Sequence, residues 1–173
     1  MTIKSIFVPL RGCGDETYVA LSGLSLAQRL NAHLTATADV GDIQAYSDPA
    51  NAGFSATYYS EIQKVVEKER ADRFNRARKA FGEAMAITKV PTVDRPTCRQ
   101  GSAYWLDSSK YADSVVPTFG RLADLIVIGR PGPLAGIGLQ QVEDALFAIR
   151  RPVLVVPNGA HRLGANVAVA WNG

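Results

Sequence analysis

The sequence predicts an α/β domain in which helices cover both faces of a five-stranded, mainly parallel sheet, the three-layer doubly wound architecture. Short apolar runs alternate along the chain with longer segments whose apolar residues recur every three or four positions. Two of these runs, residues 125–128 and 153–156, are apolar at every position. Because strands of that kind are covered on both faces, they are typical of a parallel sheet between two helix layers.

Four elements are predicted in the first half of the chain. A short apolar run at residues 6–8 predicts the first strand, and apolar spacing of three or four predicts a helix over 16–30. Alternation of apolar and polar residues predicts the second strand over 34–40. A polar segment, 41–59, is predicted to be a functional or mobile loop, and a helix is predicted over 60–86. Its apolar stripe comprises Ile62, Val65, Val66, Phe74, Ala77, Phe81 and Met85, opposite a charged, solvated face.

The second half continues the alternation with the third, fourth and fifth strands. The third strand is predicted over residues 92–100, at an edge of the sheet because Pro96 interrupts it. A helix is predicted over 106–119, before the first of the two fully apolar strands. A loop rich in glycine and proline, 129–138, and a helical stripe over 142–149 separate that strand from the last one.

Composition and charge restrict the class of protein. The chain has 173 residues, of which 47% are hydrophobic and 20% charged, as in folded globular domains. The formal net charge of +3 is scattered along the chain and does not favour nucleic-acid binding. Every apolar run is far shorter than the ~20 residues of a membrane helix, and the first ten residues lack the features of a signal peptide. We therefore expect a soluble cytoplasmic protein that binds neither nucleic acid nor a membrane.

The cysteines and histidines do not form a pattern for metal or catalytic chemistry. Cys13 and Cys98 have neither a metal-binding nor a redox spacing, as in proteins of a reducing compartment. Cys13 lies between two glycines before a helix, so it is either a redox-sensing thiol or, more simply, an ordinary loop thiol. His33 falls at the amino end of the second strand and His161 in a linker, without ligand partners. We expect no metal, no catalytic residue and no enzymatic activity.

The carboxyl ends of the strands are the expected ligand-binding positions. Doubly wound sheets bind ligands there, where the strand order reverses. In this chain those ends are residues 10–14, 40–42 and 129–132, and they include Arg11 and Arg130. The two guanidinium groups are candidates for binding a phosphate or another anion. Two alternatives for Arg11 are a solvated loop position and a pair with a nearby acidic residue.

A new strand is predicted after the fifth one. Residues 166–171 are similar to the first strand and are followed by Asn172 and Gly173. A repeat at domain length is typical of a tandem array. We therefore expect a complete domain over 1–158, a linker over 159–165 and the opening strand of a second domain over 166–173.

Two blocks of sequence carry a family resemblance. Residues 123–129 (Ala-Asp-Leu-Ile-Val-Ile-Gly), a glycine-rich loop and residues 151–157 (Arg-Pro-Val-Leu-Val-Val-Pro) resemble a universal stress protein domain. The resemblance covers about residues 3–158, and the sequence after Gly164 is similar to the start of the second domain in tandem members. It implies an adenine nucleotide α-hydrolase-like fold and dimerisation, or pairing with the second domain, through the edge strand Val153–Val156. In some members it also implies ATP binding.

The nucleotide-binding pattern of that family is incomplete in this chain. Family members that bind ATP carry an Asp after the first strand, where Arg11 stands, and a loop of the form Gly-x2-Gly-x9-Gly-Ser/Thr. Gly129 and Gly132 match the first two glycines, but Val142 and Glu143 replace the final pair. We therefore expect a non-catalytic stress response module that requires no cofactor. The alternative is an ATP-binding switch that uses Gly129, Gly132, Arg11 and Arg130. The nucleotide- or anion-binding candidates are Leu10, Arg11, Val40, Ile128, Gly129, Arg130 and Gly132.

Overall fold

Nine helices and strands are found among residues 2–40, 56–94, 100–109, 115–131, 136–159 and 163, which the computed structural model describes. They are β1 (Ser5–Leu10), α1 (Thr17–Leu30), β2 (His33–Ala38), α2 (Ala56–Thr88), β3 (Ser102–Leu106), α3 (Val116–Phe119), β4 (Leu125–Gly129), α4 (Gly136–Glu143) and β5 (Val153–Val156). A 3₁₀ turn, Gly120–Leu122, extends α3, and a π-helical turn, Asp144–Ile149, extends α4.

The strands form one parallel sheet in the order β3-β2-β1-β4-β5. The order reverses between β1 and β4, because the chain first moves outward to β3 and then returns to the other side of β1. This confirms the predicted α/β class and places the switch point at the carboxyl ends of β1 and β4.

Helices cover both faces of the sheet, and each face has its own apolar core. Val8 and Leu10 of β1 join Leu24 of α1 and Phe81 of α2 in one cluster. Phe7, which points to the opposite side, belongs to a second cluster; its other buried members are Val115, Val116, Ala123, Ile126, Ile128 and Ala145. Burial on both sides explains why the central strands carry few polar residues.

The third strand lies later in the chain than predicted. It is Ser102–Leu106, whereas the prediction was 92–100. Thr92 forms only an isolated parallel bridge with Ala103. Trp105 packs against Phe74 and Phe81, so its aromatic ring favours a half-buried strand position over the helix that was predicted to begin next to it. Residues 95–99, with Pro96 and Cys98, lie outside the described residues.

The helix predicted over 106–119 was also placed wrongly. Leu106 is the last residue of β3, and helical structure within the described part of that segment is limited to α3. Ser108 is buried and its hydroxyl donates to the Ala38 carbonyl oxygen at 2.6 Å, which fixes this segment beside the end of β2. The Asp107 carboxylate accepts a hydrogen bond from the Ser109 N–H at 2.9 Å, a local contact that competes with helix formation.

Helix α2 is longer than predicted and projects past the carboxyl edge of the sheet. Its 33 residues span about 50 Å, whereas six-residue strands span only about 20 Å. Arg76 lies level with Gly12, just beyond the end of β1, so the first turns of α2 lie outside the sheet. This explains why Val65, predicted in the buried stripe, is 68% exposed while Ala77 is fully buried.

Several predictions fall on residues that are not described. These are most of the polar segment after β2, with Tyr46 and Phe54, and the predicted strand over 166–171. Ala56–Thr88 is helical, so residues 56–59 belong to α2 and not to that segment. None of the helices in the described ranges combines the length and apolar character that crossing a membrane requires.

Candidate functional site

The carboxyl ends of β1, β2 and β4 meet at one edge of the sheet, and we call this region the mouth. It comprises Leu10 at the end of β1 with Arg11 after it, Asp39 after β2, and Gly129 at the end of β4 with Arg130 after it. Leu10 is completely buried and gives the mouth an apolar floor. The polar groups above this floor determine what the mouth can bind.

Arg11 is buried in an ion pair and does not face solvent. Its Nε lies 3.2 Å from Oε1 of Glu16, and the two residues are only 9% and 3% exposed. The other Glu16 oxygen, Oε2, accepts a hydrogen bond from the Gly12 backbone N–H at 2.7 Å. Burial raises the pKa of Glu16 above its ordinary value, although the Arg11 charge and the Gly12 N–H act in the opposite direction. The alternative in which Arg11 pairs with a nearby acidic residue is therefore confirmed.

The backbone next to Arg11 is held against α2. Gly12 has φ +65°, and a Cβ atom there would clash with the Arg73 carbonyl oxygen, so only glycine fits. Arg76 Nε donates to the Gly12 carbonyl oxygen at 2.7 Å. The loop after β1 is thus fixed by α1 through Glu16 and by α2 through Arg76.

A second buried pair crosses the mouth from β2 to α4. Asp39 Oδ2 accepts a hydrogen bond from Gln141 Nε2 at 2.7 Å, and Asp39 Oδ1 accepts one from the Val115 N–H at 3.0 Å. Asp39 is 6% exposed and Gln141 3%. The backbone N–H of Asp39 also donates to the Leu10 carbonyl oxygen at 2.7 Å, which continues the pairing of β1 with β2. These contacts tie α4 and the start of α3 to the end of β2.

The structure brings Arg11 and Gly129 together, as predicted for a shared mouth. A Cβ on Gly129 would lie 2.9 Å from a Val19 methyl group and 3.8 Å from Arg11 Nη2, so the guanidinium packs beside this glycine. Arg130 donates its backbone N–H to the Val156 carbonyl oxygen at 2.8 Å, and the residue is exposed.

The remaining predicted site residues are dispersed. Ile128 is buried in the second core cluster, where it supports the mouth from below. Val40 lines a separate pocket against α2. Gly132 lies outside the described residues.

Sequence reasoning missed three residues of the mouth: Glu16, Asp39 and Gln141. Glu16 had a signal, since it is an acidic residue five positions after Arg11. The Asp39–Gln141 pair had none, because its members are 102 positions apart and meet only through the crossover that leads to α4. Together the two pairs fill the mouth with groups that already bond to each other.

His33 and Cys13 lie outside the mouth's hydrogen-bonded pairs. His33 is at the amino end of β2, as predicted, with Nδ1 2.9 Å from the Ser102 hydroxyl, and its burial lowers the pKa of the imidazole. The Cys13 thiol is half-buried and lies 3.7 Å from the Arg11 carbonyl oxygen. Within the described ranges, no group of three His, Cys, Asp or Glu side chains is placed to hold a metal ion.

Comparison with solved structures identifies the fold. Universal stress protein UspA from Lactobacillus plantarum is 17% identical, and the match covers 90% of this chain and 99% of that one with a TM-score of 0.54. This chain has the universal stress protein fold. No family model and no curated protein matches it.

Two looser matches to universal stress proteins accompany this one. The first is a family member from Burkholderia pseudomallei, at 18% identity, 90% and 97% coverage and a TM-score of 0.46. The second is a universal stress protein in complex with cAMP, at 16% identity, 92% and 100% coverage and a TM-score of 0.44. At these scores neither adds to the argument from the first.

Proposed function

We propose that this protein is a non-catalytic universal stress response module that acts by pairing with another chain or domain through β5. The observation that carries the proposal is a difference between the two edges of the sheet. The partner is a second copy of this chain or the second domain predicted to open at residue 166.

The outer edge of β3 is covered at Ala103. The Val93 N–H donates to the Ala103 carbonyl oxygen at 3.0 Å, and the Ala103 N–H donates to the Pro91 carbonyl oxygen at 3.0 Å. The segment around Thr92 therefore occupies the outward-facing backbone groups near the start of β3, which another strand would need for pairing.

The outer edge of β5 has no such cover among the described residues. Hydrogen bonds from Ile126 to Pro152 and from Arg130 to Val156 use the carbonyl oxygens that face β4. The backbone groups of Val153 and Val155 alternate with these and face away from β4. Val155 is 42% exposed, and an apolar edge with free N–H and C=O groups is a template for pairing with another strand.

Apolar side chains precede this edge along the chain. Phe147 is 75% exposed and Leu146 46% exposed, both on the π-helical turn before β5. A large exposed aromatic side chain supports the proposal that this part of the surface is covered in an assembly.

Substitution of Val155 tests the proposed pairing. Val155→Pro removes a backbone N–H that does not bond to β4, so we expect the fold to be retained and the association to be lost. Val155→Thr, which keeps both the N–H and the branched side chain, is the matched control and should associate like the parent. Sedimentation velocity measures both, with circular dichroism to verify folding. A parent protein that is monomeric at high concentration contradicts the proposal.

We also propose that the mouth does not bind ATP in the pose used by nucleotide-binding family members. The proposal is supported by the burial of Arg11 against Glu16 and of Asp39 against Gln141. Calorimetric titration with ATP and Mg²⁺ tests it, and micromolar affinity would contradict it.

The alternative function, a nucleotide-binding switch, requires Arg11 to exchange Glu16 for a phosphate group. The packing of Arg11 beside Gly129 favours this alternative. On this alternative, Glu16→Gln should increase ATP affinity because it leaves the Arg11 charge without its carboxylate, and mass spectrometry of the denatured parent should detect a released nucleotide. Neither result is expected if the mouth is closed.

A further inference from the structure

A surface at the amino ends of β4 and β5 is formed by the two turns that lead into these strands. Leu122 is the last residue of the 3₁₀ turn before β4, and Arg150 directly follows the π-helical turn before β5. The two turns are in contact, because a Cβ on Gly120 would lie 2.8 Å from a methyl carbon of Ile149. We call the surface formed by Arg121, Leu122 and Arg150 the arginine patch.

Two guanidinium groups of the patch are open to solvent. Arg121 and Arg150 are exposed, and neither side chain forms a hydrogen bond or an ion pair within the described ranges. Arg151, in contrast, is engaged internally: its Nη2 donates to the Arg121 carbonyl oxygen at 3.0 Å and fixes the backbone beneath the patch. Leu122 is 80% exposed. The patch therefore presents two open positive charges and a large apolar side chain.

The carboxylates on the same segments are engaged elsewhere. Asp124, just before β4, accepts hydrogen bonds from the backbone N–H groups of Lys4 and Ser5 at 2.8 and 2.9 Å. Asp144, at the start of the π-helical turn, accepts one from Gln140 Nε2 at 2.9 Å. The charges of the patch are therefore left for a partner outside the domain.

Arg150 occupies a backbone position that favours glycine. Its φ is +57° and its ψ +45°, the left-handed conformation that ends the π-helical turn. Glycine is the usual residue at such a helix end, because a Cβ atom makes this conformation less stable. The arginine side chain therefore reduces the stability of the fold, which supports a role for its guanidinium group in binding.

We propose that the arginine patch binds an acidic segment of a partner protein that also carries an apolar residue. Arg121 and Arg150 pair with carboxylates of the segment, and Leu122 contacts its apolar side chain. Arginine suits this role because its planar guanidinium matches the geometry of a carboxylate, and arginine is enriched in protein interfaces. Recognition of an anionic membrane typically uses a cluster of about four to eight basic residues, so two open charges favour a protein partner.

Three capped hexapeptides test the chemistry of the partner. The probe is Glu-Glu-Leu-Glu-Glu-Leu; in the second peptide glutamine replaces each glutamate, and in the third serine replaces each leucine. We expect the probe to bind with a dissociation constant of roughly 1 mM at low salt and to shift the amide resonances of residues 120–122 and 150–151. The glutamine peptide should bind about tenfold more weakly, and the serine peptide about threefold more weakly.

Two substitutions in the patch and one matched control assign the charges. Arg121→Gln should weaken the probe about threefold. Arg150→Gly should weaken it by a similar factor and raise the thermal unfolding midpoint by about 2–4 °C, because glycine relieves the left-handed backbone. Lys89 is exposed, has φ +54° at the end of α2 and lies on the opposite face of the sheet. Lys89→Gly therefore removes the same charge and relieves the same conformation, but should leave the affinity unchanged.

The proposal is overturned by any of three results. The first is no saturable shift of the patch resonances with the probe. The second is equal affinity for the probe and the glutamine peptide, or an equal loss of affinity in Arg150→Gly and Lys89→Gly. The third is binding to phosphatidylglycerol vesicles that Arg121→Gln abolishes, without binding of the probe, which would assign the patch to membranes. The oligomeric state of the parent is measured separately, so failure here is distinguishable from failure of the β5 proposal.

Discussion

The mouth and the exposed face of α2 both carry ion pairs, but the surroundings of these pairs differ. In the mouth, Arg11 bonds to Glu16 beneath the surface, and Asp39 bonds to Gln141 in the same way. On α2, Lys79 Nζ lies 3.9 Å from Glu83 Oε1, and the two side chains are 79% and 51% exposed. Removing one member of a buried pair leaves the other desolvated, whereas water replaces the lost partner of an exposed pair. The same type of contact therefore contributes differently to stability in the two regions.

The largest expected contrast is in stability. Glu16→Ala should destabilise the protein by about 3–5 kcal/mol, because it leaves the Arg11 guanidinium buried without its carboxylate and the Gly12 N–H without an acceptor. Lys79→Gln on the exposed face of α2 should change the free energy of unfolding by less than about 0.5 kcal/mol. Urea denaturation measures both variants. Equal losses in the two would remove the distinction between the two regions.

A double variant separates the buried charge from the packing. Arg11→Met with Glu16→Leu replaces the pair by apolar side chains of similar size and should recover much of the stability lost in Glu16→Ala. A double variant as unstable as the single one would show that the mouth depends on the charges themselves.

The next effect is expected at Gly12, where the mouth loop contacts α2. Gly12→Ala should cost about 2–4 kcal/mol, because φ is positive and the added methyl group meets the Arg73 backbone. Gly14 is the matched control: φ is +74° but a Cβ there has open space, so Gly14→Ala should cost only about 1–2 kcal/mol. Denaturation midpoints in guanidinium chloride compare the two. If Gly14→Ala proves the worse, the close contact of the mouth loop with α2 is not what stabilises it.

A smaller effect is expected at the pair that crosses the mouth. Gln141→Ala removes the hydrogen bond to Asp39 Oδ2 and should destabilise the protein by about 1–3 kcal/mol. The neighbouring Gln140 bonds to Asp144 on the exposed helix surface, so Gln140→Ala should cost only a few tenths of a kcal/mol, about the value of such helix pairs. Thermal unfolding of both variants tests this. A neutral Gln141→Ala would mean that α4 is not held by this contact.

The smallest effect is a pH dependence, with a slope of at most about 1.4 kcal/mol per pH unit for one group. Below pH 4.5, Glu16 is protonated in both the folded and the unfolded chain. Above it, the unfolded carboxyl loses its proton while burial raises the folded pKa, so stability falls as pH rises through the folded pKa. As the pH increases above 4.5, the parent should therefore lose stability relative to Glu16→Gln, measured as the difference between their free energies of unfolding.

Asp124 gives the opposite sign in the same experiment. Hydrogen bonds from the Lys4 and Ser5 N–H groups lower the pKa of its carboxyl below 3.8, so its contribution is present above that pH and is lost as pH falls. As the pH rises, the free energy of unfolding of the parent should therefore increase relative to that of Asp124→Asn. Equal signs for the two carboxyls would contradict the assigned burial of Glu16.

The sequence was sufficient for the fold class because periodicity reports which faces are buried. The fully apolar runs became β4 and β5, and the spacing of Leu24 and Ala27 marked the buried face of α1. The third strand was misplaced because its bounds depend on distant contacts. Trp105 is held in β3 by aromatic side chains of α2, and local spacing contains no information about them.

The mouth was only partly predictable for a related reason. Its floor and its position follow from strand order, and an Arg11 pair with a nearby acid was one of the alternatives. The hydrogen bond from Gln141 to Asp39 across the mouth was not predictable, because it depends on how α4 crosses the sheet.

The unequal edges of the sheet have a consequence for stoichiometry. If two copies pair through β5 about a twofold axis, the joined sheet ends on both sides in a β3 edge that residues 91–93 already occupy at Ala103. Growth then stops after one addition, and a closed pair forms instead of a fibre. Displacing the segment around Thr92 would supply a second open edge, which is the condition for unlimited polymerisation.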